Sequence, residues 1–170
     1  MSRTARFERE VLPYLDAAYN LARWLTRDDQ DAQDVVQEAM LRAFRYFDSM
    51  RDAQARAWLL AIVRNTGYTW LEKNRPADLQ PFDEENTVEA EPSNPEIVVL
   101  QAAQRRLVAQ ALEELPVAYR EVVVLRELED LSYKDIAHIS GMPIGTVMSR
   151  LSRGREMLRK TIETRMRKAS

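Results

Sequence analysis

The stretch from Pro76 to Ile97 restricts this chain more than any other. It holds seven acids (Asp78, Asp83, Glu84, Glu85, Glu89, Glu91 and Glu96), prolines at 76, 81, 92 and 95, and no Lys or Arg. A segment this charged and this rich in Pro buries little apolar surface and lacks several backbone donors, so it reads as an extended linker. The chain is thereby divided into residues 1–75, a linker at 76–96, and residues 97–170. Each flanking part is about 75 residues, at the small end of what folds alone. Both parts carry apolar residues at helical spacing, so the expected class is all-α, two small helical domains with a helix-turn-helix in the second.

Charge follows the same division. The formal net charge is −2, from 25 Lys and Arg against 27 Asp and Glu. Without the seven linker acids the balance is 25 − 20 = +5. From Thr146 onward eight Lys or Arg stand against two Glu, a local +6. Phosphate neutralisation is local, so overall acidity does not argue against nucleic acid.

In the first part, Phe7 to Thr26 is a helical pattern with Val11, Leu12, Leu15, Ala18, Tyr19, Ala22 and Leu25 as its apolar stripe. Pro13 marks an early turn or a kink. Asp28 and Asp29 offer an N-cap for the next helix, which turns Val36, Ala39, Met40, Ala43 and Phe47 inward. Asp34, Gln37, Glu38 and Leu41 form a second stripe, either solvated surface or a docking strip for a basic helix. Phe44-Arg45-Tyr46-Phe47 closes that helix with three aromatics and an Arg. A third helix, Ala57–Asn74, carries Trp58, Leu59, Ile62, Val63, Thr66, Trp70 and Leu71 inward, with Arg64, Asn65 and Tyr68 on other faces. Trp24, Trp58 and Trp70 are expected in the core. Tyr46 and Tyr68, set among Arg and Asn, suit stacking on unpaired bases.

The second part opens with a helix from Glu96 to Leu115 and continues through PVAYREVVVLREL. Its most specific stretch is LSYKDIAHISGMPIGTVMSRLSRGREML, Leu131–Leu158. Ser132 is placed to cap a short helix, Gly141 supplies left-handed geometry for a sharp turn, and Pro143 suits the start of a second helix. Ile144, Val147, Leu151 and Leu158 are expected to face the core. That leaves Thr146, Ser149, Arg150, Arg153 and Arg155 outside: either a solvated basic face, or the hydroxyls and guanidinium groups that major-groove reading needs.

Taken together, DAQDVVQEAMLRAF, WLLAIVRNTGYTWL ending at NRP, LEELPVAYREVVVLREL and the hairpin above resemble the bacterial RNA polymerase sigma factors of the extracytoplasmic-function type, in order, over about Leu12 to Lys160. The resemblance implies a factor that binds core RNA polymerase through Asp34, Gln37, Glu38 and Leu41. It implies that Phe44, Arg45, Tyr46, Phe47, Asp48, Arg56, Arg64, Asn65 and Tyr68 melt and hold the −10 promoter element. Thr146, Ser149, Arg150, Arg153 and Arg155 would read the −35 element. The acidic linker would thread the polymerase's RNA exit path, and an anti-sigma factor is implied as inhibitor. Met148 departs from the pattern, standing where a Lys or Arg is common.

The alternative is a free-standing helix-turn-helix regulator, which leaves the Asp34–Leu41 stripe and the linker unexplained. An enzyme is not expected. With no Cys and a single His, His138, neither a nucleophile–base pair nor a metal cluster can be assembled from those residues, and no Gly-rich phosphate loop is present. No cofactor, metal or small-molecule substrate is expected. The start lacks an apolar signal segment and no run is long enough to span a bilayer, so no membrane insertion and a cytoplasmic location are expected.

Overall fold

The computed structural model describes residues 1–51, 54–79 and 102–169. The described chain is helical throughout. Helix α1 spans Arg3–Glu10, capped by Ser2, whose hydroxyl accepts from the Ala5 amide at 3.1 Å. Pro13 does not kink a continuous helix. It sits in a 3-10 turn, Leu12–Tyr14, that separates α1 from α2, Leu15–Thr26. That turn leaves Leu12 and Leu15 exposed, whereas the register of α2 buries Ala18, Leu21, Ala22 and Leu25. Helix α3 spans Asp29–Arg45, with Asp28 accepting from the Asp31 amide at 2.9 Å. It buries Val36, Ala39 and Ala43 as expected, with Ala32 and Val35 beside them. Helix α4, Ala55–Asn74, buries Leu59, Val63, Thr66 and Leu71, while Trp58, Ile62 and Trp70 are half-buried.

Of the expected linker, Pro76–Leu79 form a 3-10 turn, and residues 80–96 lie outside the described residues. So does the start of the helix expected from Glu96, which is described as α5, Ala102–Glu114. Helix α6, Val117–Val123, runs into a single π-helical turn, Val124–Leu128. The hairpin follows as α7, Tyr133–Ser140, and α8, Ile144–Ala169. The basic residues Arg165, Arg167 and Lys168 therefore belong to the end of one long helix. Helix α8 passes close over α6 at Gly154, where an added Cβ would lie 2.8 Å from Val123 Cγ2.

Gly141 ends α7 at φ 69°, with its amide bonded to the Ala137 carbonyl. A side chain there meets no neighbour, so only the left-handed backbone is at issue. Gly141→Ala is expected to destabilise the fold by about 1 kcal/mol, lowering the thermal midpoint by about 2–4 °C. An unchanged midpoint in a melting curve would count against this.

The two sets of helices are packed on each other. Helix α4 lies against α7 and α2 against α6, and one buried cluster runs from Phe7 through Leu59 and Leu125 to Leu151. Trp24 is half-buried rather than central, because it packs across the join against Leu112, Leu115 and Val123.

Candidate nucleic-acid and polymerase interfaces

The α3 register that buries Val35, Val36 and Ala39 turns Asp34, Gln37, Glu38 and Leu41 outward, and all four are exposed. Leu41 stands 63% exposed, a large apolar side chain among acids. Glu38 accepts from Arg42 Nε at 3.1 Å, one turn along.

At the C-terminal end of α3 the aromatics separate into two roles. Phe47 is 2% exposed and meets Phe7 edge-on, with ring centres 5.4 Å apart. Phe44 and Tyr46 remain exposed, alongside Arg45 and Asp48. Arg3 of α1 braces this corner. Its guanidinium donates to the Phe44 carbonyl at 2.5 Å and to the Asp48 carboxylate at 3.3 Å, and lies 4.6 Å from the Phe44 ring centre.

The α4 residues of the same group lie elsewhere. Asn65 is exposed, but Arg56, Arg64 and Tyr68 are covered by the second set of helices. Arg64 donates from Nε and Nη2 to both carboxylate oxygens of Glu121, at 3.0 and 3.3 Å, and stacks 3.7 Å over Tyr68. Glu121 is fully buried. Burial pushes its carboxyl above the ordinary value, and the charge of Arg64 offsets this only in part. Burial likewise raises the Tyr68 phenol, with the Glu121 charge adding to it. Arg56 donates to the Glu129 carbonyl and, at 3.1 Å, to its carboxylate, which also accepts from Asn20 at 2.7 Å.

A second buried cation ties the halves together. Arg120 donates from Nε to the Trp24 carbonyl at 2.7 Å and from Nη2 to that of Leu25 at 3.3 Å. From Nη1 it reaches Leu115 at 2.6 Å and Glu113 at 3.2 Å. These oxygens end α2 and α5, where the helix dipoles are negative. Burial, and then the neighbouring charge of Arg27, lower its pKa to about 10, so it stays charged at neutral pH.

In the hairpin, Ser132 accepts from the Asp135 amide at 3.1 Å, as its capping position requires. Ser149 is exposed and Thr146 and Arg153 are half-buried along α8. Arg150 turns back, with Nη1 2.7 Å from Met142 Sδ, and Arg155 pairs with Glu127 at 2.6 Å. Ile144 is 45% exposed rather than buried, next to Met148 at 51%, because Val147 and Leu151 take the inward positions. Sequence reasoning missed Glu121, Arg120, Glu129 and Arg3. A signal existed for two of them: Arg120-Glu121 is a charge pair inside the otherwise apolar run from Val117 to Leu125.

Comparisons with known proteins converge on one family. The family described as Sigma-70 region 2 matches residues 11–76, and Sigma-70, region 4 matches residues 105–158. The ECF RNA polymerase sigma-E factor of Escherichia coli K12 is 38% identical over 147 residues, covering 81% of this chain and 77% of that protein. The sigma-E factor of Haemophilus influenzae is 37% identical over 155 residues, covering 86% and 81%. Among solved structures, the sigma factor RpoE of Bartonella quintana, in complex with the anti-sigma factor NepR, superposes with a TM-score of 0.71 at 30% identity, covering 93% of this chain and 97% of that one. CnrH in complex with the cytosolic domain of CnrY shares the fold, with a TM-score of 0.68 at 23% identity, covering 95% and 90%. Helices, order of regions and similarity over most of both chains agree: the chain belongs to the extracytoplasmic-function sigma factors of the sigma-70 family.

Proposed function

We propose that this chain is a dissociable subunit of RNA polymerase that selects promoters and helps open them, with no chemistry of its own. The observation that carries this reading is the strip Asp34, Gln37, Glu38 and Leu41, fully outward and built from three hydrophilic residues and one apolar one. A strip that grips a basic helix uses both the charges of Asp34 and Glu38 and the apolar contact that Leu41 offers. On this reading Phe44, Tyr46, Arg45 and Asp48 meet the −10 strand, Phe47 supports them from the core, and Arg56, Arg64, Asn65 and Tyr68 continue the surface along α4. Thr146, Ser149, Arg150, Arg153 and Arg155 take the −35 element.

Arg56, Arg64 and Tyr68 are covered by the C-terminal helices, so promoter opening requires the two halves to separate. The closed arrangement is the inactive one. The solved relative from Bartonella quintana is bound to an anti-sigma factor. We infer a partner of that kind for this chain too, one that favours the closed state. The described helices include none long and apolar enough to cross a membrane. The place of action is the cytoplasm, with the polymerase.

The test is binding to core RNA polymerase followed by run-off transcription. Asp34→Lys/Glu38→Lys is expected to weaken polymerase binding about a hundredfold, since like charges facing each other cost several kcal/mol. Promoter-specific DNA binding by the isolated chain, with no polymerase affinity, would replace this reading with the free-standing regulator.

A further inference from the structure

On α8 the inward row is Val147 and Leu151, both buried, and the outward row begins with Ile144 and Met148, both exposed. Ile144 and Met148 stand one turn apart, so their side chains share a face of the helix with Cβ atoms about 5–6 Å from each other. Beside Ile144, Gly145 presents no side chain. A Cβ placed there would meet nothing within 4 Å among the described residues. The first turns of α8 are therefore a low surface edged by two apolar side chains.

The polar groups nearest this pair are turned back onto the chain. The Ser149 hydroxyl donates to the Gly145 carbonyl at 2.9 Å, which leaves it only an acceptor to offer outward. Arg150 directs Nη1 to Met142 Sδ at 2.7 Å. Yet the surroundings suit a polyanion, with eight Lys or Arg against two Glu from Thr146 to the end. An apolar pair on so basic a helix fits a ligand that carries negative charge at its rim and apolar groups within. The major groove of DNA is such a ligand, because phosphates line its edges and the C5-methyl group of thymine projects from its floor.

We propose that Ile144 and Met148 read thymine in the −35 element, by van der Waals contact with C5-methyl groups. The inference rests on the −35 reading above and deepens it by stating which base, and which group of that base, the start of α8 recognises. Base pairs are about 3.4 Å apart, so two side chains at this separation reach thymines at neighbouring positions. Neither side chain donates a hydrogen bond, so the methyl group alone carries the discrimination. Uracil in place of thymine keeps every hydrogen-bonding edge and removes only that group.

The experiment uses the full chain assembled with core polymerase. Promoter DNA carries the −35 element selected from a randomised segment, with deoxyuridine replacing each thymine of either strand in turn. Wild type is expected to bind about fourfold more weakly at one or two positions, the effect of one buried methyl group. Ile144→Ala/Met148→Ala is expected to bind thymine and uracil alike at those positions, while Met148→Leu keeps the difference. Met148→Arg is expected to exchange it for a preference for G, read at O6 and N7. Indifference of wild type to every replacement overturns the proposal, as does a selected element without A·T pairs. So does persistence of the uracil losses in the double alanine variant; if that variant also assembles more weakly with core polymerase, the pair belongs to a protein interface. Scrambling the whole −35 element is the separate check. If wild-type affinity survives scrambling, the −35 reading itself fails, whereas a loss on scrambling beside indifference to uracil removes only the inference about Ile144 and Met148.

Discussion

Arg64→Ala is expected to open the molecule. In the closed form Glu121 is fully buried and its carboxylate is held by both arms of the Arg64 guanidinium. Removing one partner of such a pair costs about 3–5 kcal/mol, because an uncompensated charge stays in a dry site. Under the proposed separation of the two halves the chain has an escape. Separation of the halves returns Glu121 to water, so the cost shifts the closed–open equilibrium by about two to four powers of ten. Small-angle scattering is expected to show a larger radius for the variant, with helix content unchanged. Identical dimensions together with a lower melting midpoint would show that the halves unfold as one unit.

The same pair gives the closed state a pH dependence whose sign is fixed. Burial raises the Glu121 carboxyl above its ordinary 4.5, and Arg64, Tyr68 and Arg150 are the charged or titratable groups around it. The closed form therefore binds a proton more tightly than the open form. Its advantage is fullest below pH 4.5 and declines as pH rises through the raised value. Glu121→Gln is expected to flatten that dependence, and scattering across the acid-to-neutral range checks it.

Arg120→Ala is the second large effect. One guanidinium serves four carbonyls, those of Trp24, Leu25, Glu113 and Leu115. Hydrogen bonds to charged groups are worth about 1.5–3 kcal/mol each, and the orphaned oxygens add their own penalty, although such terms do not sum. A loss of about 4 kcal/mol or more is expected, read as a fall in the urea midpoint. Arg120→Lys should recover only part of it, because a compact ammonium cannot span the ends of two helices. A loss below about 1 kcal/mol would mean that water replaces the guanidinium at all four oxygens.

Much of the fold was legible because it depends on local rules. The caps at Asp28 and Ser132, the turn at Gly141 and the inward rows of α3 and α4 follow from hydrogen-bond geometry and period. Leu12, Leu15 and Ile144 were misplaced for one shared reason: each stands at a helix start, where a turn sets the register and the apolar pattern has not yet taken hold. The outward strip Asp34–Leu41 was legible from period alone. The partners of Arg56, Arg64 and Tyr68 were not, because Glu129 and Glu121 lie more than fifty residues away, beyond the linker. No local pattern carries that pairing.

In the closed chain the guanidinium groups of Arg64 and Arg56 already hold carboxylates, those of Glu121 and Glu129. Under the proposed assignment a promoter phosphate does not meet a bare cation there; it exchanges with an internal anion. Cations so occupied attract few mobile anions from solution, so fewer are liberated when DNA arrives. The chain thus carries its own substitute for nucleic acid, and the ionic cost of promoter entry falls on two glutamates that must be rehydrated.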